Sequence, residues 1–314
     1  MKSMSLEGLI YPHSKEVFFR EYFEEKPLLA KRNDDEFFDH LIKKSDINTL
    51  INKVGTLGSF NVFAKHPDRV IEPKEYAVLT SYENVEIKVG VNPIALYGLL
   101  ESGAQVTFTS VQKVLPCIKD LYTSLRQEFL AHVQIQLLFI GKGDVTPQVV
   151  FPQHDSFILQ LNGTTEVNIF PPGIVLPLSN QHYSPQSQEL QVQTKFKLEQ
   201  GDSVYLPRGY GYQCLSGPTI ATQILFQVYT TTMTKVVHEL IMEIANEEEV
   251  LRMGFGVSAL KSTNERADVV SKIQEVLERK LILTKLSDVK AKLWQKIVHE
   301  SEVCISDIIE RGHL

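Results

Sequence analysis

The sequence is poor in the residues that build disulfide frameworks and zinc sites. It has three cysteines among 314 residues, Cys117, Cys214 and Cys304, far apart and with no CxxC pair or cysteine–histidine cluster. This number and spacing exclude a disulfide scaffold and give no zinc motif. We therefore expect reduced, mostly buried thiols in an intracellular protein.

Long apolar runs and an excess of positive charge are also missing. No stretch approaches the roughly 18 apolar residues of a membrane-spanning helix, and the N-terminus shows no apolar signal-peptide region. The formal net charge of −6 argues against nucleic acid as the main partner. The basic residues between Lys261 and Lys280 alternate with acidic ones, which is typical of a solvated helix face. We expect neither a membrane nor a nucleic-acid partner.

The residues that are present suffice for a large core, since 43% of them are hydrophobic. Helical spacing of apolar residues predicts helices over 14–25, 35–43, 93–102 and 114–127, and one beginning near Ser45. Ser14 is the expected N-cap of the first helix and Pro27 follows its end. The stretch 73–80 fits neither a helical nor a strand pattern.

Between His132 and Thr231 the pattern changes to short strands separated by turn residues. Strands are predicted over 133–140, 157–161, 166–170, 193–198, 203–206 and 219–229. Asn162-Gly163 is a hairpin signal between the second and third of them. Many short strands with turns predict an antiparallel barrel or sandwich. Helical patterns return over 236–245, 264–281 and 286–299, so the expected division is a helical part (1–130), a barrel core (131–232) and a C-terminal helical region (233–314).

Three segments carry a family resemblance over roughly residues 6–255. The first is Leu6-Glu7-Gly8-Leu9-Ile10 with the later Glu25-Lys26-Pro27-Leu28-Leu29. The second is Phe157-Ile158-Leu159-Gln160-Leu161-Asn162-Gly163, and the third is Leu198-Glu199-Gln200-Gly201-Asp202-Ser203-Val204-Tyr205-Leu206-Pro207-Arg208-Gly209. Together they resemble the JmjC-type ribosomal oxygenases, histidyl hydroxylases related to Myc-induced nuclear antigen. The resemblance implies a JmjC/cupin double-stranded β-helix, a jelly-roll barrel that is mainly β with flanking helices.

The resemblance also implies iron(II) and 2-oxoglutarate as cofactors, with iron held by two histidines and one carboxylate. The family's H-x-D motif falls seven and five residues before the strand phenylalanine, which gives Val150 and Pro152 here. Its second histidine falls at Tyr212, and its 2-oxoglutarate lysine falls at Thr165. Neither Val150 nor Pro152 can donate an electron pair to a metal, and a neutral phenol is a poor iron(II) ligand. We therefore expect a catalytically degenerate member without iron or 2-oxoglutarate.

Two neighbouring residues offer an alternative metal site. His154 and Asp155 lie almost where the H-x-D motif belongs. Adjacent residues of a strand point to opposite faces, so both would ligate one ion only if a bulge intervened. In that alternative the chain is an iron(II)/2-oxoglutarate-dependent protein hydroxylase with a rearranged site. His182 lacks a carboxylate two residues on, and a surface loop is expected there.

Other polar residues near these positions have structural explanations. Gly201-Asp202 is expected to form a turn, and Arg208 to pair with a carboxylate across the barrel mouth. Tyr210, Tyr212, Gln213 and Thr165 are expected to line the former cosubstrate pocket and to fill it. A further alternative is a barrel that binds a small molecule without iron, in an apolar cavity bounded by Phe151, Tyr212 and Phe226.

The favoured hypothesis is a non-catalytic protein that binds a protein partner, a ribosomal protein or a histone by resemblance. The helices that follow the barrel in the family form a homodimer interface and precede a winged-helix domain. Because only about 60 residues follow Met253, we expect dimerisation helices with a reduced winged helix. Resemblance also implies a nuclear or nucleolar location, with the cytoplasm as the alternative.

Overall fold

The computed structural model of the chain describes residues 5–53, 62–82, 85–143, 148–185, 190–254, 263–281 and 290–295. The chain divides into two compact units, Met1–Thr230 and Thr231–Leu314. In the first unit the helices are α1 (Leu6–Ile10), α2 (Lys15–Glu21), α3 (Lys44–Lys53), α4 (Pro93–Glu101) and α5 (Lys119–Phe129). Its strands are β1 (Leu28–Ala30), β2 (Val62–Lys65), β3 (Ala77–Tyr82), β4 (Val85–Val91), β5 (Gln105–Thr109), β6 (His132–Ile140), β7 (Asp155–Asn162), β8 (Thr165–Pro172), β9 (Thr194–Leu198), β10 (Ser203–Leu206), β11 (Tyr210–Ser216) and β12 (Ala221–Tyr229).

The strands of the first unit form three antiparallel sheets. The main sheet has seven strands in the order β1-β10-β7-β12-β6-β5-β2, and the minor sheet has three in the order β11-β8-β9. Strands β3 and β4 pair separately. From β7 to β12 the chain passes repeatedly between the main and minor sheets, which is the jelly-roll winding of a cupin barrel. The expected fold class, mainly β with flanking helices, is confirmed.

Strands β7 and β12 of the main sheet each contribute to two different cores. Phe157 and Phe226 point to the outer face, where they join the large core built with the N-terminal helices. Ile158 and Leu225, one residue away, point inward and pack in the smaller core between the two sheets. This separation follows from the alternation of side chains along a strand.

An aromatic cluster attaches α2 to the outer face of the main sheet. Ser14 caps α2 as predicted, since its hydroxyl accepts a hydrogen bond from the backbone N–H of Val17. Phe18 of this helix is fully buried and packs edge-on against Tyr205 with ring centroids 4.9 Å apart. It also lies 5.9 Å from the ring of Phe157. The N-terminal helices therefore form part of the barrel's core.

The hairpin predicted at Asn162-Gly163 is wrong. The two strands that flank this turn, β7 and β8, lie in different sheets and do not pair with each other. Gly163 has a φ of +69°, as a tight turn requires, and its N–H bonds to the Asn162 side chain. The local sequence specifies the reversal of direction, whereas the pairing of the strands depends on the packing of the two sheets.

The N-terminal part is less helical than the sequence pattern predicts, because β1 to β5 all precede residue 130. The predicted helix over 35–43 is also wrong, as residues 35–41 form turns. There Phe37 and Phe38 lie against the guanidinium of Arg32, with centroids 4.5 and 5.2 Å from it. Such tertiary contacts override a weak local helix preference.

The turn at Gly201-Asp202 connects the barrel to the N-terminal segment. Asp202 accepts hydrogen bonds from the backbone N–H groups of Arg32 and Glu199, both at 3.0 Å. The Arg32 guanidinium in turn donates to the carbonyls of Gly8, Leu9, Ala30 and Gly201. Burial lowers the pKa of Arg32 to about 10. The structural turn expected from the sequence is observed.

The second unit is helical in its described residues. It contains α6 (Met233–Glu247), α7 (Glu249–Arg252) and α8 (Thr263–Leu281), and residues 290–295 are helical as well. The predicted helix over 286–299 lies outside the described residues except for 290–295, and Cys304 lies outside them entirely. On α6 the exposed residues Met233, Val237 and Ile241 follow each other at four-residue intervals. None of the described helices is long and apolar enough to cross a membrane.

Candidate functional site

The positions at which the resemblance places the iron ligands come together in the barrel. Val150 and Tyr212 form an isolated antiparallel bridge, in which each backbone N–H donates to the other residue's carbonyl at 2.9 Å. Tyr212 lies in β11, a strand that the sequence pattern did not predict because glycine and proline surround it. The structure therefore brings the first and third ligand positions face to face.

Pro152 lies beside this pair. Its carbonyl accepts a 2.8 Å hydrogen bond from the N–H of Gly209, at the turn that precedes β11. Gly209 has a φ of +91°, and a Cβ there would lie 2.1 Å from the carbonyl oxygen of Ile174. The turn consequently requires glycine. All three positions thus belong to one local backbone arrangement.

The side chains at these positions do not fit iron(II). Val150 and Pro152 carry no electron-pair donor on their side chains. The phenolic oxygen of Tyr212 is an effective ligand for iron(II) only when it is deprotonated. Burial raises the pKa of this phenol far above its usual value, so the phenol stays neutral. Among the described residues no group of three or more histidine, cysteine, aspartate or glutamate side chains could hold a metal ion. We therefore derive no step through iron or 2-oxoglutarate.

Thr165, where the resemblance places the 2-oxoglutarate lysine, lies in a buried hydrogen-bond network. Its hydroxyl donates to the Gln160 amide oxygen at 2.7 Å. The amide nitrogen of Gln223 donates to the same oxygen at 2.8 Å and lies 3.1 Å from the Thr165 hydroxyl. Gln160 in turn donates to the carbonyl of Asn162 at 2.7 Å. These neutral groups satisfy one another, so nothing in the network attracts a carboxylate.

Sequence reasoning missed Gln160 and Gln223 as partners of Thr165. Both glutamines are almost fully buried. A signal for Gln160 exists, because it is the one polar residue inside the apolar run 157–161. A buried polar side chain requires a hydrogen-bond partner. The identity of that partner depends on the register of β12 against β7, which pairs Gln223 with Gln160.

His154 and Asp155 do not converge. The carboxylate of Asp155 is fully buried and accepts hydrogen bonds from the hydroxyls of Tyr205 (2.7 Å) and Thr230 (2.9 Å). The His154 ring lies 5.0 Å from the ring of Tyr229, and its Nδ1 is 3.2 Å from the hydroxyl of Ser156. The two side chains have separate partners, as alternation along a strand requires.

A cation lies beside the buried carboxylate. Arg208 Nη1 is 3.6 Å from Asp155 and 2.6 Å from Glu24, so the expected pairing across the barrel mouth is observed. Burial raises the pKa of Asp155, while the Tyr205 and Thr230 hydrogen bonds and Arg208 act in the opposite direction. Burial also lowers the pKa of His154 to about 4, so this imidazole is neutral near pH 7. Both groups are held by contacts within the fold.

The barrel contains a partly open cavity of about 70 Å³ between the two sheets. Its lining includes Val150, Tyr212, Gln213, Cys214 and Gln223. Ligand pockets typically measure about 300–1,000 Å³, so this space has room for a few water molecules but not for a ligand of ordinary size.

The apolar cavity expected between Phe151, Tyr212 and Phe226 is wrong in two of its three residues. Phe226 faces the outer core, and Phe151 packs edge-on against Tyr183 with centroids 4.8 Å apart. Tyr210 also lies elsewhere, since its hydroxyl donates to the carbonyl of Glu25 at 3.0 Å. Because side chains alternate between the two sides of a strand, Phe226 points away from the barrel interior. Tyr212 and Gln213 line the cavity as expected.

The predicted surface histidine behaves as expected. His182 is exposed, and its Nδ1 lies 2.6 Å from the side-chain amide of Gln153. Cys117 is exposed, and Cys214 lies in the cavity wall, where burial raises the pKa of its thiol to about 12. A thiol so protonated is a poor nucleophile near neutral pH.

The barrel and its open end define a JmjC/cupin-type fold of the ribosomal oxygenase kind. Among solved structures, YcfD, a ribosomal oxygenase from Escherichia coli, matches with a TM-score of 0.53 and 14% identity, over 90% of this chain and 69% of that chain. The same protein in complex with cobalt and 2-oxoglutarate gives a TM-score of 0.53 at 13% identity, over 85% and 67%. These likenesses establish the fold.

Sequence similarity points to the same group of proteins. The chain is 24% identical over 258 residues to the bifunctional lysine-specific demethylase and histidyl-hydroxylase NO66 of Dictyostelium discoideum, covering 77% of this chain and 47% of that protein. It is 24% identical over 294 residues to mouse ribosomal oxygenase 2, covering 88% and 59%. No family model matches. The chain is thus related, at low identity, to the ribosomal oxygenase and NO66 proteins, and it spans about half the length of these relatives.

Proposed function

We propose that the chain is a non-catalytic relative of the ribosomal oxygenases that binds a protein partner. The observation that carries this proposal is the Val150–Tyr212 bridge. The two residues form the backbone pair that would hold two metal-binding side chains opposite each other, yet neither supplies a suitable donor. The expected partner is a ribosomal or chromatin protein, and the expected location is nuclear or nucleolar, with the cytoplasm as the alternative.

The surroundings of Thr165, the position expected for the cosubstrate lysine, support the same proposal independently. Thr165 offers no positive charge to a carboxylate, and its hydroxyl is engaged with Gln160 and Gln223. A bound dicarboxylate would leave its charge without a cation in a buried place, which is strongly unfavourable. Arg208 is already paired with Glu24 and Asp155.

The direct test is a titration of the purified chain with manganese(II), as an inert substitute for iron(II), with and without 2-oxoglutarate. We expect no coupled binding at millimolar ligand and no conversion of 2-oxoglutarate to succinate in the presence of iron(II). Iron-dependent turnover would overturn the proposal.

A homodimer is part of the proposal and has its own test. The exposed residues Met233, Val237 and Ile241 lie along α6 at four-residue spacing and form an apolar stripe. Light scattering of the full chain is expected to give the mass of a dimer, and Val237→Asp is expected to give a monomer. A monomer at micromolar concentration for the unaltered chain would remove this element of the proposal.

A further inference from the structure

The cavity between the two sheets has a lining without charge. None of the described residues that line it is an aspartate, glutamate, lysine, arginine or histidine. Ile158 and Leu225 form part of its apolar wall and belong to the inner core. A charged group is costly to bury without a partner of opposite charge, whereas an uncharged polar group needs only hydrogen bonds. The lining therefore disfavours ions and suits a neutral guest.

The minor sheet contributes a hydrogen-bond donor to this cavity. The ring of Tyr212 packs against the inner core and lines the cavity. Within the described part of the chain, no group accepts a hydrogen bond from its hydroxyl. By contrast, the hydroxyl of Tyr210, two residues earlier, donates to the carbonyl of Glu25 at 3.0 Å. A largely buried tyrosine hydroxyl normally has a partner. The Tyr212 phenol can therefore donate to an acceptor atom of a guest.

The main sheet contributes a hydrogen-bond acceptor. The side chain of Gln223 lies in β12, lines the cavity and is 1% exposed. Its amide nitrogen directs its hydrogens to Gln160 and Thr165, at 2.8 and 3.1 Å. An amide nitrogen has two hydrogens, so both are used within this network. The amide oxygen of Gln223 receives no hydrogen bond from the described residues. A donor on the guest would satisfy this oxygen.

The size of the cavity limits the guest to a small group. Its volume of about 70 Å³ is roughly five times the ~10–15 Å³ that one water molecule requires. Four or five non-hydrogen atoms therefore fit. The cavity is partly open, and Val150, which is 49% exposed, lines it beside the bridge to Tyr212. A small molecule, or the end of one side chain from a partner protein, can enter there from solvent.

We infer that the cavity binds a primary carboxamide, an uncharged group that carries both a hydrogen-bond acceptor and a donor. The carboxamide oxygen accepts from the Tyr212 hydroxyl of the minor sheet, and its N–H donates to the Gln223 oxygen of the main sheet. The group belongs to a free small molecule or to an asparagine or glutamine side chain of a partner protein. The inference goes beyond the proposed function and does not depend on it.

The test is a titration of the full chain, isotopically labelled in its isoleucine and leucine methyl groups and followed by NMR. The probes are acetamide, acetate and acetamidinium, which have the same shape and differ in charge. We expect acetamide to shift the methyl resonances of Ile158 and Leu225 saturably at millimolar concentration. The two ions are expected to bind at least about tenfold more weakly, because the cavity offers them no counter-charge. No metal is added, so the result is independent of the iron titration that tests the proposed function.

Two variants test the assigned contacts. Tyr212→Phe removes the donor and keeps the ring, so it is expected to weaken acetamide binding about fivefold. Tyr210→Phe is the matched control, because its hydroxyl bonds to the Glu25 carbonyl, and it is expected to leave the affinity unchanged. Cys214→Leu adds bulk to the cavity wall and is expected to abolish binding, which keeps the test decisive if Tyr212→Phe folds poorly.

A capped glycine–glutamine–glycine tripeptide, titrated in parallel, distinguishes the two sources of the carboxamide. Binding at least as tight as that of acetamide assigns the group to a partner's side chain, and binding of acetamide alone assigns it to a free molecule. The inference is overturned if no probe gives saturable shifts, or if acetate binds as tightly as acetamide. Equal losses of affinity in Tyr210→Phe and Tyr212→Phe, or undiminished binding by Cys214→Leu, would also overturn it.

Discussion

The phenol of Tyr205 donates a 2.7 Å hydrogen bond to the fully buried carboxylate of Asp155. The same phenolic oxygen accepts a hydrogen bond from the backbone N–H of Glu24 at 3.0 Å. One side chain thus links the barrel strand β7 to the chain just after α2. Because the carboxylate has no access to water, each of its partners contributes to stability.

Tyr205→Phe is therefore expected to destabilise the fold by about 1–3 kcal/mol, since it leaves a buried carboxylate with one partner fewer. The measurement is urea unfolding followed by circular dichroism. Tyr229→Phe serves as the control, because its hydroxyl lies at an exposed position, and it is expected to change stability by less than about 0.5 kcal/mol. Equal effects of the two substitutions would contradict the role assigned to Tyr205.

The buried imidazole of His154 is expected to make the fold sensitive to acid. Its pKa is lowered from 6.5 to about 4 in the folded state, so the unfolded state binds more protons between these values. Stability is therefore lost as the pH falls from about 6.5 towards 4. The contribution is on the order of 1–2 kcal/mol after allowance for partial exposure.

The measurement for His154 is the free energy of unfolding at several pH values between 4 and 7, for the unaltered chain and for His154→Gln. The variant is expected to show a smaller decrease in stability over this range, because glutamine does not titrate. Parallel curves would show that other groups cause the acid sensitivity, and the lowered pKa would then be unsupported.

Gly201→Ala is expected to be strongly destabilising. Gly201 has a φ of +89°, and a Cβ there would lie 1.9 Å from the carbonyl oxygen of Asp34. A contact that close to the backbone forces the two segments apart, which we expect to cost more than about 3 kcal/mol. Thermal unfolding of the purified variant measures the effect.

Gly98→Ala is the matched control for Gly201→Ala. Gly98 lies within α4, and an added Cβ would meet nothing within 4 Å. The substitution is expected to stabilise the helix by about 0.5–1 kcal/mol, because alanine loses less backbone entropy on folding. Destabilisation at Gly98 would mean that the surroundings of α4 are tighter than described.

Placing donors at the three positions expected for the iron ligands should create a metal site. The combined variant is Val150→His, Pro152→Asp and Tyr212→His. It places two imidazoles and a carboxylate on β11 and on the segment 150–152 that bonds to it. Manganese(II) binding by calorimetry is expected for this variant and not for the unaltered chain. A folded variant without measurable binding would show that these positions do not correspond to a metal frame.

Much of the central barrel could be predicted from the sequence, because short apolar strands alternate there with turn residues. The strands around Phe157 and Val204 have short apolar runs bounded by glycine and proline, which identify them locally. Strands β2 and β5 were missed because their formation depends on pairing with strands that are distant in the sequence. The partner of Val62 in β2, for example, is Phe108 in β5.

In the candidate site, too, some features could be predicted from the sequence and others could not. Counting from Phe157 and Pro207 gives Val150, Pro152 and Tyr212 as the expected ligand positions, and the structure brings the backbones of these residues together. The association of Gln160, Thr165 and Gln223 was not predictable, since it depends on the register between β7 and β12. The incorrect placement of Phe226 has a similar cause, because the side that a residue faces is undetermined until one neighbour in the strand is fixed.

The bridge between Val150 and Tyr212 consists only of backbone hydrogen bonds, which are indifferent to the side chains they carry. Selection for folding therefore exerts little pressure on the identity of these two residues once catalysis is no longer required. A lineage can exchange reactive for inert side chains here without passing through an unfolded intermediate. Shape comparison alone will accordingly group active and inactive members together, and the distinction between them has to be made residue by residue.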